Sequence, residues 1–338
     1  MQSVADTRAR SRSVAPPSPI EPARPVPLWQ RKDVVIPLAV LALLVAAPGF
    51  LNSYHIHVLT LILIYVPCAL GQNLITGNSG QLSMGHAAFF GLGAYVVAIL
   101  TVHYGWPAFP ALVMAAAAAG VVGLMIGLPA IRISGDYLFL VTIGVNLVFL
   151  DVVTQWISVT GGTAGIPGLP MPSFLGIQVR TKAEYFYMAL VVALLCLGLT
   201  LAITKARFGK MIEAVRDDPI AAASCGVSLT LVRVSVFVIG AAMAGLAGGV
   251  LAFFIGFVGP SDFNVQQSLL IFEMAILGGL GSVWGSIVGA ALLVGLPEML
   301  RFLQPYRLGL LGLVMILLMI YRPQGLLGSV KITNLIRK

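Results

Sequence analysis

The sequence predicts an all-α polytopic membrane protein with about ten transmembrane helices, a glycine-rich segment that is broken or re-entrant, and one long cytoplasmic loop. Hydrophobic residues make up 59% of the 338 residues and charged residues only 9%, whereas a soluble domain carries about 25% charged residues. Long uncharged runs recur, and each run of roughly 20 apolar residues can cross a bilayer. The basic residues, which give a net charge of +8, cluster in the N-terminal tail and one central loop, as in cytoplasmic segments.

The N-terminal segment 1–33 is rich in Pro, Ser and Arg and is predicted to be a disordered, basic cytoplasmic tail. The transmembrane domain is predicted to follow at 34–322. A cleaved signal peptide is an alternative interpretation of the first apolar run. The long leader before that run favours an uncleaved first span whose N-terminus lies inside.

The connections between the apolar runs set the direction of the first five spans. The connection "NSYHIH" has no Lys or Arg and suits the outer side, whereas "RISGDY" faces the cytoplasm. The Gly- and Pro-rich stretch 160–182 cannot be a membrane helix and is predicted to be an external loop. The predicted spans before that loop are 34–51, 58–75, 87–102, 109–131 and 137–158.

The second half of the domain contains the basic loop, at 205–233, between spans at 185–204 and 234–258. Lys205, Arg207 and Lys210 at the start of the loop place it in the cytoplasm. Splitting the next apolar segment at "GGLGSVWG" gives two shorter spans. A last span at 308–320 then leads to a short cytoplasmic tail at 323–338, so both termini lie inside.

Two short helices are predicted within the basic loop. Asp218 can cap free amides and Pro219 fits the first helical position, so a helix should begin there. Gly226 is a natural stop, which gives a helix over 219–225 and leaves room for another at 211–216. A small alanine-rich helix suits docking into a groove on a partner, and the alternative is an ordinary solvated connection.

Polar residues between or inside the apolar runs are the candidates for contact with a solute. Irregular polar backbone at membrane depth is tolerated only if it is buried in protein or faces a wet cavity. Carboxylates inside spans are costly and are functional candidates by default, with an internal hydrogen-bonded group as the equal alternative. Gln155 shares a helix face with Asp151, and His86 is expected to hydrogen-bond to a neighbouring helix. The candidates for a solute path are Asn73, Asn78, Ser79, Gln81, Ser83, His86, Asp151 and Glu273.

Several chemistries find no support in the sequence. Cys68, Cys196 and Cys225 lack metal-type spacing, so no metal site is expected. The chain has no nucleophile elbow, HExxH motif or paired catalytic acids, and it is not expected to be an enzyme. Its basic clusters follow the positive-inside bias, which favours a lipid membrane over nucleic acid as partner. The glycine clusters "AGLAGGV" and "GSIVGA" indicate close helix packing.

Three segments, in order, resemble the M-type permeases of branched-chain amino acid ABC importers. They are "GQNLITGNSGQLSMGHAAFFGLGAY", "RFGKMIEAVRDDPIAAASCGVSL" with "AAMAGLAGGVLAFFIGFVGP", and "EMAILGGLGSVWGSIVGAALLVGLPEML". The resemblance implies a permease subunit in the bacterial inner membrane that forms half of a path for branched-chain or related amino acids. It also implies a second related permease, two cytoplasmic ATPases that use ATP and Mg, and an external or periplasmic solute-binding protein. The chain has no GxxxxGK[ST] motif, so no cofactor is expected on this subunit.

The resemblance also gives the basic loop a role, as the segment that couples the permease to an ATPase. This sequence departs from the stricter EAA motif of other importers, but an acid and an alanine pair stand at the family's positions. The residues carried over are Glu213, Ala214, Arg216, Asp217, Asp218, Pro219, Ala221, Ala222 and Gly226.

Two other classes of function stay open from the sequence. One is a passive channel or an ion-coupled carrier for a small polar solute such as urea or a short amide, although an ion-coupled carrier is expected to bury an acid or histidine relay. The other is a purely structural membrane scaffold, for which changes at Asp218 or Gly226 would leave uptake intact.

Overall fold

The computed structural model describes residues 32–130, 136–174 and 177–299, together with 309, 312, 316, 320–322 and 325–328 near the C-terminus. Most of the predicted tails at 1–33 and 323–338, and most of the predicted span 308–320, lie outside these residues. The described helices are α1 (Lys32–Phe50), α2 (Ser53–Asn73), α3 (His86–Ala98), α4 (Ala108–Ala130), α5 (Asp136–Gln155), α6 (Ile157–Thr160), α7 (Lys182–Lys205), α8 (Arg207–Asp217), α9 (Pro219–Ser224), α10 (Leu229–Ile255), α11 (Val265–Gly278) and α12 (Val283–Met299).

Six helical segments among the described residues are long and apolar enough to cross a membrane. A seventh apolar helix, Val283–Glu298, is shorter. The chain is therefore mostly helical and multi-pass, in agreement with the predicted all-α class, while the count of about ten spans stays a prediction. The six segments are Ser53–Asn78, His86–His103, Ala108–Pro129, Tyr137–Gln155, Lys182–Lys205 and Leu229–Ile255.

Helix α10 lies at the centre of the bundle and packs against α2, α3 and α4. Its glycines allow these helices to approach until their backbones touch. A Cβ atom on Gly93 of α3 would lie 1.9 Å from the carbonyl oxygen of Gly245 in α10, a distance that no side chain can occupy. The packing interpretation of the "AGLAGGV" cluster is confirmed, because small residues here replace side-chain contact by backbone contact.

The Gly- and Pro-rich stretch after α5 contains short strands that the sequence did not predict. Strand β1 (Ile166–Pro167) pairs antiparallel with β4 (Phe257–Val258), which follows α10. Strands β2 (Ser173–Phe174) and β3 (Ile177–Gln178) form a small hairpin. Among the described residues of this stretch, no helix is long enough to cross a membrane, and the β1–β4 pair ties the stretch to the end of α10.

Several predicted helix boundaries are wrong, for local reasons. Helix α7 starts at Lys182 rather than 185 because Thr181 and Glu184 form a reciprocal capping box. Helix α10 starts at Leu229 rather than 234 because the Ser228 hydroxyl accepts a hydrogen bond from the first turn. Helix α5 ends at Gln155 rather than 158 because the backbone leaves the helical conformation at the next residue.

Helix α8 is also longer than predicted. It begins at Arg207 rather than 211, directly after the extended residue Ala206. The connection from α7 to α8 is tight. A Cβ on Gly209 would lie 2.2 Å from the Thr204 carbonyl oxygen at the end of α7. The buried face of α8 consists of Gly209, Ile212 and Val215, so the whole helix is fixed by packing on one side.

Candidate functional site: a polar junction and a pair of short helices

The glycine-rich segment interrupts the helical path between α2 and α3. Helix α2 continues through one π-helical turn, Leu74–Asn78, and the chain is then non-helical over 79–85 before α3 begins at His86. Gly80 has a φ of +72°, a conformation that residues with a Cβ rarely adopt. We call residues 79–85 the first break.

A second interruption separates α11 from α12. The chain turns between Gly278 and Val283, with φ values of +116° at Gly279 and +81° at Gly281. The two helices then run back along each other so closely that a Cβ on Gly278 would lie 2.1 Å from the Gly285 carbonyl oxygen. This turn falls within the "GGLGSVWG" motif, where the sequence predicted the split, and we call residues 279–282 the second break.

Asn73, at the end of α2, joins this helix to the second break. Its Oδ1 accepts a hydrogen bond from the Gly281 N–H at 2.8 Å, and its Nδ2 donates to the Ser282 carbonyl at 2.9 Å and to Ser286 Oγ at 2.7 Å. Gly77 lies in the same place, since a Cβ there would be 2.3 Å from the Gly281 nitrogen. We call the two breaks, Asn73 and the π-helical turn at Leu74–Asn78 together the polar junction.

Polar side chains of the first break and of the end of α2 form hydrogen bonds with neighbouring residues of the bundle. Gln81 Nε2 donates to Ser79 Oγ at 2.7 Å and to the Arg233 carbonyl, in the first turns of α10, at 3.3 Å. Gln72 Nε2 donates to the Ser83 carbonyl at 2.7 Å. The structure thus brings six of the eight predicted path residues to one region and buries all six: Asn73, Asn78, Ser79, Gln81, Ser83 and His86.

His86 does not make the hydrogen bond that the sequence predicted for it. The side chain is fully buried, yet neither ring nitrogen has a hydrogen-bond partner within the described part of the chain. Its surroundings explain this, because the ring meets Phe89 edge-on and Nε2 lies 3.2 Å from the position that a Cβ on Gly71 would take. The expectation was wrong because this neighbour offers a bare helix backbone and no polar side chain.

The two predicted carboxylates lie elsewhere. Asp151 and Gln155 are both exposed on α5, as their spacing on one face predicted, and they line a shallow open groove on that helix together with Val148, Val152 and Trp156. Glu273 is half-buried on α11 and does not line this groove. Of the eight predicted path residues, Asp151 is thus exposed and Glu273 partly exposed, while the other six are buried.

Helices α8 and α9 form a pair of short helices, with α9 capped at both ends. Asp218 Oδ1 accepts hydrogen bonds from the N–H groups of Ile220 and Ala221 at 2.9 and 3.0 Å, and Pro219 occupies the first helical position. At the other end Gly226, with a φ of +84°, closes a Schellman motif. The predicted capping chemistry of this helix is confirmed, with its end at Ser224 rather than 225.

Most of the predicted coupling residues face outward on this pair. Ala222 is buried, while Pro219 and Arg216 are intermediate. Ile220, which the sequence interpretation passed over, is 80% exposed, and the signal that could have found it is a single bulky apolar residue in an alanine-rich helix. The exposed predicted residues are Glu213, Ala214, Asp217, Asp218, Ala221 and Gly226.

Arg216 points the other way, from α8 toward the polar junction. Its Nη1 donates a hydrogen bond to the Gly77 carbonyl at 3.1 Å. The polar junction and the short helices are therefore in direct contact. Across residues 32–130, 136–174 and 177–299, no group of three His, Cys, Asp or Glu side chains could hold a metal ion.

The fold and site define a multi-pass helical membrane protein with an internal polar junction and an exposed pair of short helices. Residues 54–319 match the family model described as the permease component of branched-chain amino acid transport systems. The chain is 34% identical to the high-affinity branched-chain amino acid transport system permease protein LivM of Escherichia coli K12, covering 94% of this chain and 79% of the relative.

Two further relatives extend the comparison. LivM of Salmonella typhimurium LT2 is 32% identical, and the match covers 88% of this chain and 75% of the relative. The permease protein LivH of E. coli K12 is 27% identical, and the match covers 78% of this chain and 91% of the relative. No solved structure matches. The chain belongs to the family of branched-chain amino acid transport system permease components, and the M-type resemblance inferred from the three motifs is confirmed.

Proposed function

We propose that this chain is the permease subunit of an ATP-driven ABC importer and forms half of the path for branched-chain or related amino acids. The family match over 54–319 supports the transport role, and the names of the curated relatives support the solute class. The observation that carries the ATP-driven mechanism is the exposed pair α8–α9. It presents a capped helix with a protruding Ile220 side chain to a partner while its other face packs on the bundle.

In this proposal α8 and α9 dock into a groove on a cytoplasmic ATPase, which binds ATP and Mg. Small side chains at Ala214 and Ala221 permit close approach, and Glu213 and Asp217 supply charge for orientation. Asp218 and Gly226 act indirectly, because they hold α9 in shape through its two caps. This subunit hydrolyses nothing itself.

The complete importer would contain a second, related permease, two such ATPases and an external or periplasmic solute-binding protein. The relative LivH, a permease of the same transport system by name, supports a pairing of two different permeases. The chain would lie in the bacterial inner membrane with both termini in the cytoplasm, the side on which the basic loop belongs.

The solute path is proposed to follow the open face of α5. A zwitterion that leaves water needs polar groups on its route, because an unpaired charge in an apolar environment is very costly. Asp151 and Gln155 offer such groups in the shallow groove on α5, and Glu273 on α11 is a second candidate. The buried residues of the polar junction, Asn73, Asn78, Ser79, Gln81, Ser83 and His86, line the path only when the junction opens.

Two experiments test this proposal. Affinity purification of the tagged chain from native membranes should yield a second permease and an ABC ATPase, and recovery of the chain alone would favour a channel or a scaffold. Calorimetry on the purified solute-binding protein should then show heat of binding for Leu, Ile or Val. Binding of urea or a short amide, with none of Leu, Ile or Val, would move this subunit to another solute class.

A further inference from the structure

The side chain of Arg216 lies between the short helices and the polar junction. Its backbone belongs to α8, two residues before the Asp218 cap of α9. Its guanidinium is held on two sides: Nη1 donates to the Gly77 carbonyl at 3.1 Å, and Nε and Nη2 donate to Asp217 Oδ1 at 3.2 and 3.1 Å. A planar guanidinium bound at both edges keeps one orientation.

The glycines of both breaks make room for this side chain. A Cβ on Gly80 would lie 3.0 Å from Arg216 Cγ, and a Cβ on Gly281 would lie 3.5 Å from Arg216 Nη1. Both glycines have positive φ values, +72° and +81°. Arg216 therefore rests where the first break and the second break meet.

A continuous set of contacts runs from this arginine into the bundle. The Gly77 carbonyl belongs to the π-helical turn that ends α2. One turn earlier, Asn73 holds the Gly281 N–H at 2.8 Å and the Ser282 carbonyl at 2.9 Å. A displacement of α8 is thus passed to the end of α2 and to the turn between α11 and α12, because packed and hydrogen-bonded elements move together.

We propose that Arg216 is a positioning residue which transmits the movement of α8 and α9 to the two glycine breaks and so controls the opening of the polar junction. This inference rests on the proposed importer function. Arg216 faces the junction and not the ATPase, so its removal should leave docking intact. A merely structural arginine, which satisfies a helix-end carbonyl, would affect stability without changing how much solute moves per ATP hydrolysed.

The test uses the whole importer, with binding protein, in proteoliposomes. Three quantities are measured for each variant: ATPase recovered with the permeases, the rate of ATP hydrolysis and the rate of Leu uptake. For R216A we expect normal recovery of the ATPase, hydrolysis within about twofold of wild type, and a fall in Leu uptake per ATP of about tenfold, within the range of measured couplings. R216K keeps the positive charge but loses the planar guanidinium with its several donors. Its uptake per ATP should lie between the values for R216A and wild type.

Two further variants keep the test decisive. K182A removes an exposed cation from the start of α7, outside the short helices, and should leave uptake per ATP unchanged. G80A keeps the arginine but forces its Cγ away and strains the backbone of the first break, so it should also lose uptake per ATP, while R216K carries the test if R216A fails to accumulate. Normal uptake per ATP in R216A and G80A, or loss of bound ATPase in R216A, would overturn the proposal. Failure of the importer function itself would show as wild-type vesicles without ATP-driven uptake.

Discussion

Replacement of Asn73 by alanine should destabilise the protein by removing the bonds that join the end of α2 to the second break. Asn73 is 2% exposed, and alanine removes three hydrogen bonds, of 2.7, 2.8 and 2.9 Å. Such bonds average about 0.6 kcal/mol in a membrane bundle and about 1 kcal/mol in soluble proteins. The expected loss is therefore about 2 to 3 kcal/mol, since the Gly281 N–H is also left without its acceptor.

The assay is reversible unfolding of the purified chain in mixed micelles, titrated with a denaturing detergent. N52A provides the matched control, because Asn52 is exposed at the start of α2 and makes no capping bond with its side chain. N73D retains an acceptor for Gly281 but loses both donated bonds, and it should be at least as destabilised as N73A. If N73A unfolds within about 0.5 kcal/mol of N52A, which is the usual scatter for surface changes, this side chain does not hold the second break to α2.

Three other changes test separate parts of the structure. D218A should weaken α9 by about 1 kcal/mol and speed the hydrogen exchange of the α9 amides. The control E213A on α8 should leave that exchange unchanged, and equal exchange rates in the two variants would show that Asp218 does not cap α9. G93A should lower the free energy of unfolding by about 1–3 kcal/mol through overpacking. G198A, where a Cβ meets no atom within 4 Å, should leave it unchanged. Equal stability of the two variants would refute the close packing of α3 on α10. D151N should slow ATP-driven Leu uptake without reducing expression, and an unchanged rate would remove the α5 groove from the path.

The sequence was most informative where structure depends on neighbouring residues. The Asp218–Pro219 start and the Gly226 stop of α9 could be read directly, because capping involves residues only a few positions apart. The same rule, applied to Thr181 and Glu184, would have placed the start of α7 correctly. The boundary errors thus came from local signals that were passed over.

The sequence could not predict the contacts that organise the site. The bond from Gly281 to Asn73 joins residues 208 positions apart, and the bond from Arg216 to Gly77 spans 139 positions. Hydropathy marked this region as polar but could not distinguish side chains that line a path from side chains that join two helix breaks. Burial and hydrogen-bond partners made that distinction, and only Asp151 was left in an open groove.

The most direct test of the account is uptake of radiolabelled Leu by proteoliposomes that contain this chain with its partner permease, ATPases and binding protein. The account predicts that Leu accumulates against its concentration gradient only when ATP is present on the side of the membrane where the ATPases lie. No uptake is expected when ATP is replaced by a non-hydrolysable analogue. Leu entry at the same rate without ATP, or in vesicles that lack the ATPases, would contradict it and identify the chain as a channel or carrier.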